Sequence, residues 1–473
     1  MAASERSNVA EGLSALTASS QRYPNGGFDP GLCLSARRVL RGAPESTPHH
    51  EVVGLRRTSW NRDRGGAKSV RPTLASCAPV LPERQGLPGA VVIGGDYQGL
   101  GIVRSLGRRG IEVIVVDDER SISRHSRYVT AARRVPDLHS EVSTVEALLE
   151  LRETYRVDGW VVYPTREETV AALSRNRERL TRYFRIPTPT WEVVEWAYDK
   201  RQTYKLAERL DIPTPRTWTV HDVSELHVVD GDPPFVIKPA IKEHFLYATR
   251  AKAWRADTRE ELRARFEDAA TLIGEQEVMI QELVPGNGDT QFAYCAFFKA
   301  GSAVASMEVQ RLRQHPAEFG RASTFVQTVK HPLLEEMSLR FLRSIDYYGL
   351  VELEYKLDRR DDSLKLLDVN ARTWGYHSLG QRAGVDFPYV LYADQVALPV
   401  PEKVRATPGI SWIRLATDLP TASLELIHRR LDWRAYLGSL LLSNVESVFS
   451  HDDLAPGLAE ILLLPYLAMK RGL

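Results

Sequence analysis

The sequence predicts a mixed α/β protein of several modules, and three observations carry that prediction. In "GAVVIGGDYQGLGIVRSLGRRGIEVIVVDDE" an apolar strand enters a glycine-rich turn, a helix follows, and a second strand ends at Asp117, the pattern of a β-α-β unit. "VDGWVVYPTREETVAALSRNRERL" repeats strand, turn and helix, so the first module is expected to be a small parallel sheet with helices on both faces. Further on, "GLVELEYKLDRRDDSLKLLDVNAR" reads as an antiparallel hairpin with a charged tip. A chain of 473 residues, 43% of them hydrophobic, is long enough to fill two or three cores.

The elements follow in order. Residues 1–88 are rich in Ser, Arg, Gly and Pro without a sustained apolar period, so burial there cannot offset the entropy of ordering, and disorder is expected. The acidic residues Glu5, Glu11, Asp29 and Glu45 argue against an organelle transit peptide. The β-α-β module occupies 89–187. The prolines of "RIPTPTWEVV" mark a linker, and from 188 to about 400 the character becomes α+β. There "PFVIKPA" is a short strand, "TREELRARFEDAATLI" an amphipathic helix, and "EVMIQELVPG" a strand ending in a turn. "TQFAYCAFFKAGSAVASMEVQRLRQ" reads as a strand pair around Ala300-Gly301, a helix follows from Pro332 to Ile345, and the hairpin comes next. Residues 401–473 read as mostly helical.

Composition excludes several function classes. Lys+Arg number 62 against 61 Asp+Glu, a net charge of +1, so no global field attracts nucleic acid or an anionic membrane. The three cysteines, Cys33, Cys77 and Cys295, form no CxxC pair, which favours a reducing compartment and a cytoplasmic location. No run approaches the ~20 apolar residues of a spanning helix, and the N-terminus lacks a basic start followed by an apolar core. "LAEILLLPYLAMKRGL" is short and broken by Pro465; it reads as a helix packed on the body, with surface attachment as the alternative.

The chemistry concentrates in the hairpin. Its second strand ends "LLDVNAR", and alternation puts Asp368, Asn370 and Arg372 on one face. Glu352 and Glu354 share a face of the partner strand. Groups facing each other across an antiparallel ladder lie about 5 Å apart. Facing carboxylates repel unless a cation lies between them, which points to a divalent-ion site on hard oxygen ligands; the plain alternative is a polar strand end in solvent. Lys238, centred in the apolar strand "PFVIKPA", needs an anion or must lose its charge, unless it snorkels from an edge. Arg311 and Arg313 in "EVQRLRQHPAEFG" are expected on one side of an extended segment, where they suit an anionic group under transfer or are simply solvated.

In this order the features resemble the ATP-grasp superfamily, and within it the carboxylate-amine ligase branch. The resemblance runs from about 89 to 400 and rests on the glycine turn with "SRYV", "DK...AERLDIPTPRT", "FVIKPA", "VMIQELVPG", "RLRQHPAEFG", "GLVELEYK" and "LLDVNARTWG". It implies a Rossmann-like pre-ATP-grasp domain at 89–187 and a two-lobed ATP-grasp domain at 188–400, and it leaves 401–473 as a helical C-terminal extension. It further implies that Lys200 and Lys238 contact nucleotide phosphates and that "AIKEHFLYATRAKA" covers them. Gln281, Glu282, Leu283 and Val284 would hold the adenine, largely through backbone groups, with Asp289 in reach of the ribose. Glu354, Asp368 and Asn370 match the Mg2+ ligands, with Mn2+ as an alternative ion. Arg372, with Arg311 and Arg313, would steady the reacting phosphate or acyl group. The implied reaction joins a small-molecule carboxylate to an amine through an acyl phosphate; the implied partners exclude nucleic acid and stable membrane insertion, and a homodimer is common in the family.

Three positions depart from the family pattern: Asp368 stands where glutamate is more frequent, Ala371 where proline is, and the chain after Lys238 is not glycine-rich. A nicotinamide-dependent oxidoreductase is the rival from another class, because "GGDYQGLG" follows a strand and Asp117 ends the next one. Its fingerprint fails at the third glycine, where Arg104 stands. A non-catalytic, nucleotide-binding regulatory protein is the rival within the fold. GxSxG, HExxH and CxxC are all absent, the pair His377-Ser378 reads as a packed turn, and His244 has no assigned role.

Overall fold

The structure, a computed structural model, describes residues 86–316, 319–320 and 322–471. The disorder expected for 1–88, and Cys33 and Cys77 with it, falls on residues 1–85, outside the described residues, for all but its last three positions.

Strands β1 (Ala90–Ile93), β2 (Val113–Asp117), β3 (Ala131–Arg134) and β4 (Val161–Pro164) form a parallel sheet in the order β3-β2-β1-β4. Side chains alternate across it. Val91, Ile93, Ile114 and Val116 meet Val145, Leu148 and Leu151 of the helix Glu141–Tyr155, while Ala90, Val92, Val113 and Val115 enter a second core with Ile102 and Leu106 of the helix Tyr97–Gly107. Both faces are covered, as a near-continuous run of Val and Ile requires.

A small antiparallel sheet follows, with β5 (Thr217–Thr219), β6 (Phe235–Pro239), β7 (Trp254–Ala256) and β8 (Val278–Glu282) in the order β5-β8-β6-β7. The helix Arg259–Ile273 closes its back with Leu262, Phe266 and Ala269. Local chemistry sets that helix: the Thr258 side chain accepts a hydrogen bond from the Glu261 N–H at 3.1 Å, Glu260 and Glu261 lie in the first turn, and Gly274 at φ +82° ends it.

The third sheet is built on β9 (Gln291–Lys299), β10 (Ser302–His315), β11 (Ala322–Val329), β12 (Gly349–Asp358) and β13 (Ser363–Asn370), and is completed by the short strands β14 (Val404–Arg405), β15 (Ser411–Ile413) and β16 (Val445–Glu446). Its order is β13-β12-β9-β10-β11-β15-β16, with β14 beside β10. Tyr294, Ala296 and Phe298 of β9 pack under the helices Trp191–Tyr198, Lys200–Arg209 and Pro332–Ser344. Ala293, Cys295 and Phe297 pack on the other face, in the core that also holds β1, Trp374 and Trp412. The segment after residue 401 is helical, as expected, and adds β14, β15 and β16 to this sheet; strands of two or three residues carry no period that a sequence reading can detect.

Candidate active site

The hairpin β12–β13 pairs Glu354 with Asp368 and Glu352 with Asn370, so the facing expected from alternation is present. What stands between the two glutamates is an amide. Asn370 Nδ2 donates to Glu352 Oε2 and to Glu354 Oε1, both at 3.0 Å, and Tyr376 Oη donates to Glu352. Arg372 lies just past the strand end, donates to Asn370 Oδ1 at 3.2 Å and meets Glu167 at 2.9 Å.

Cations arrive from remote segments. Asp199 caps the helix Lys200–Arg209, its side chain accepting from the Arg201 N–H, and the Lys200 backbone N–H donates to Ala240 O just after β6 at 3.1 Å. Lys200 is thereby buried, with its Nζ 2.5 Å from Asp368. Tyr204, one turn along the same helix face, receives Lys238 Nζ at 2.5 Å and itself donates to Leu367 O at 2.8 Å. Lys238 also donates to Gln281 Oε1 at 2.8 Å. Arg311 from β10 reaches Glu354 at 3.0 Å.

Burial and charge set the ionisation of this cluster. Burial alone would raise Asp368, but Lys200 and Lys242 outweigh it and hold its carboxyl well below the usual range. For Lys200 burial opposes the charge, and Asp368 more than restores it. Glu354 is likewise desolvated, yet held low by Arg311 and Lys252. Glu352 is pushed up to about 7, by burial first and then by Glu354. Lys252 behaves differently from the other cations: burial, with Lys242 and Arg311 nearby, brings it down to about 8 against the pull of Glu354. No hydrogen bond or ion pair within the described residues reaches its ammonium.

These groups surround one cavity of about 1070 Å³. Lys200, Lys238, Lys252, Arg311, Glu354 and Asp368 line one part of it, and the segment from Gln281 to Asp289 lines another. A divalent ion and a polyphosphate both suit the donor set. Carboxylates and an amide oxygen are hard ligands, and Lys252 is a desolvated cation with no direct ion-pair partner among the described residues, drawn toward Glu354 only through space.

Comparison with known proteins bears on the fold. No family model matches the chain. The D-aspartate ligase of Enterococcus faecium is 23% identical over 301 residues, 60% of this chain and 70% of that protein. Among solved structures, the L-amino acid ligase from Bacillus licheniformis superposes with a TM-score of 0.52 at 16% identity, covering 65% of this chain and 74% of that one. The biotin carboxylase domain of the Hydrogenobacter thermophilus 2-oxoglutarate carboxylase, solved with MgADP and bicarbonate, gives 0.56 at 14% identity, covering 69% and 74%. The chain has the ATP-grasp fold.

Of the residues implied by the ATP-grasp resemblance, Lys200, Lys238, Gln281, Glu282, Leu283, Val284, Asp289, Arg311, Arg313, Glu354 and Asp368 border the cavity, while Asn370 and Arg372 are not among its lining residues and adjoin it through Glu354 and Asn370 respectively. Several sit differently from expectation. Arg311 and Arg313 do not share a side. Their partners on β11 are the consecutive residues Val326 and Phe325, so a bulge at Leu312 turns them to opposite faces. Arg313 instead binds Asp418 twice at 2.9 Å and stacks on Phe325 and Tyr436. In the adenine segment, the backbone N–H groups of Glu282 and Leu283 already donate to Arg216 O and Pro234 O. Glu282 carries Lys365 and Arg360, and Asp289 pairs with Arg359 at 3.1 Å. The chain after Lys238, not glycine-rich in the sequence, forms the helix Lys242–Thr249.

Sequence reasoning missed Tyr204, Lys242, Lys252, Tyr376 and Glu167. For Tyr204 a signal existed, since its i+4 spacing from Lys200 places both on one helix face. For Lys252 none did, because a lysine in a polar loop looks like any solvated one. In the glycine-turn region, Asp117 accepts from Gly95 N–H at 2.6 Å and from Arg166 at 3.0 Å. Arg104 is used in a buried pair with Asp453 at 3.0 Å. His377 is packed in a turn, as expected, and His244 pairs with Glu277 at 2.7 Å.

Proposed function

We propose that the protein is an ATP- and Mg2+-dependent ligase that activates a small-molecule carboxylate as an acyl phosphate and joins it to an amine, releasing ADP and phosphate, in the cytoplasm where nucleotide is abundant. The observation that carries this reading is convergence: Lys200, Lys238, Lys252 and Arg311, from separate segments, meet the acidic hairpin around one cavity. The ligase names of the curated relative and of one structural neighbour support it.

A carboxylate is a poor electrophile because an attacking amine would have to expel oxide. Its oxygen instead attacks the γ-phosphorus, the bond from that phosphorus to ADP breaks, and ADP leaves with the electron pair. The amine then adds to the acyl carbon, the carbon–oxygen bond to phosphate breaks, and the amine gives up a proton. Lys200, Lys238, Lys252 and Arg311 hold and neutralise the phosphates. Arg372, anchored by Glu167, orients the acyl end. Glu354, Asp368 and Asn370 would hold Mg2+, or Mn2+, which supplies charge neutralisation at the terminal phosphates. The helix Lys242–Thr249 shields the acyl phosphate from water until the amine arrives.

The test is incubation with Mg-ATP and pooled carboxylic and amino acids. The expected result is ADP and phosphate in equal amounts, together with a new mass equal to acid plus amine less water. ADP release that ignores both acid and amine overturns the ligase reading.

A further inference from the structure

Away from the cavity, the helices after residue 414 carry an inverted pattern. The helix Trp433–Leu441 presents Trp433, Leu437 and Leu441 at spacings of four, and all three are exposed, Leu441 by 87%. Leu442 beside it is 74% exposed, as is Ile427 at the end of the preceding helix Leu415–Ile427. Inside the helix Trp433–Leu441 only Tyr436 is buried, against Arg313. A helix that covers a core turns its apolar stripe inward; this one turns it out, and a contiguous apolar face in water marks an interaction surface.

Charge decides what the surface meets. Arg429 and Arg434 are exposed among these side chains, as is Arg430, which lies 3.8 Å from Glu425, and the Arg434 guanidinium is 5.2 Å from the Trp433 ring. The exposed acid Asp432 is engaged in capping its own helix at Ala435 N–H. A second copy docked about a two-fold axis through this face would bring the arginines against their own counterparts. Residues 1–85 are themselves rich in arginine and offer no better complement. We propose that the helix pair docks peripherally on an anionic lipid surface, with Trp433, Leu437, Leu441 and Leu442 entering the interface and the arginines meeting headgroup phosphates. It lies on the membrane and does not cross it, since no described helix is long and apolar enough to span. Glu425 and Arg430 border the cavity, so docking brings the rim of the candidate active site to the surface.

The full chain is sedimented with vesicles of phosphatidylcholine alone or mixed with phosphatidylglycerol, at low and high salt. Binding is expected only to the anionic vesicles and is expected to weaken as salt rises. Arg429→Ser with Arg434→Ser should weaken it roughly thirtyfold, and Trp433→Ser with Leu441→Ser should abolish it. These positions are exposed, so circular dichroism should be unchanged in every variant. Absence of sedimentation with either vesicle overturns the proposal, as does binding that ignores lipid charge or these substitutions. A dimer by light scattering that Leu441→Ser splits, without vesicle binding, assigns the face to a second copy and overturns it equally. ATP turnover is a separate readout, so the ligase reading stands or falls independently.

Discussion

Two regions of this chain present the signs of a nucleotide site, the glycine turn after β1 and the hairpin β12–β13, and they differ in what their polar groups face. At the glycine turn, Asp117 is pushed up to about 6 by burial, against the pull of Arg166, and its oxygens accept from Gly95 and Arg166. Arg104, at the position a dinucleotide fingerprint reserves for glycine, is buried against Asp453. Every one of these groups is engaged by the chain itself. At the hairpin, charges from remote segments also pair, Lys200 with Asp368 and Arg311 with Glu354, yet they line an open cavity, and Lys252 is drawn to Glu354 only through space, with no direct ion pair among the described residues. What separates a candidate site from a structural motif here is that its charged groups line open volume.

The largest effect that would break this contrast lies in the hairpin. Asp368→Ala combined with Asn370→Ala should lower ATP turnover by about 10³-fold or more, the scale of losing charge stabilisation at a phosphoryl group. Asp117→Asn should leave turnover within a few-fold of the parent. Equal losses in the two variants, measured as ADP formed per folded molecule, would erase the distinction.

The next effect belongs to stability. Arg104→Ala strands the Asp453 carboxylate, which Ser126 and the Arg127 N–H also bind, and breaking a buried pair from one side costs about 3–5 kcal/mol. Urea unfolding should show that loss, while turnover of the molecules still folded should not change. A turnover defect matching the stability defect would mean that the first sheet does more than support the fold.

Much of this contrast was legible in the sequence because it depends on short-range pattern. Alternation placed Glu352 and Glu354 opposite Asn370 and Asp368, and β6 buried Lys238 because its neighbours Phe235, Val236 and Ile237 are apolar. The rest depends on events that leave no periodic trace. A single bulge at Leu312 turned Arg313 away from Arg311. Strands of two and three residues after 401 joined the large sheet. The partner of each charge is fixed by chain separation: Lys200 and Asp368 lie 168 residues apart, and nothing local pairs them.

Lys252 sharpens the comparison at intermediate size. A charged hydrogen bond contributes about 1.5–3 kcal/mol, or roughly 10- to 100-fold. Lys252→Ala should therefore cut kcat/KM for ATP by about that factor, and Lys252→Arg should recover part of it. Because Lys252 makes no ion pair within the described residues, neither variant should lower the urea midpoint, in contrast to Arg104→Ala. A Lys252→Ala protein with full activity, or one that unfolds early, would return this lysine to the surface population from which the sequence could not separate it.

The smallest effect tests the seam between the two regions. His377, in the turn after the hairpin, is buried and donates from Nε2 to Gln98 O, at the start of the helix that follows the glycine turn, at 2.9 Å. Burial holds its imidazole down to about 4, so the folded protein prefers the neutral ring while the unfolded chain protonates near 6.5. Its contribution is therefore complete above pH 6.5 and is lost as the pH falls toward 4, roughly 2 kcal/mol by pH 5. His377→Gln retains a donor for Gln98 but cannot titrate. Its urea midpoint should fall less than that of the parent between pH 7 and pH 5, and the pH profile of turnover between those values should be the same in both proteins. A parent and variant that lose stability in parallel would show that acid acts elsewhere, and a shifted turnover profile would tie this turn to the chemistry rather than to the packing of one region on the other.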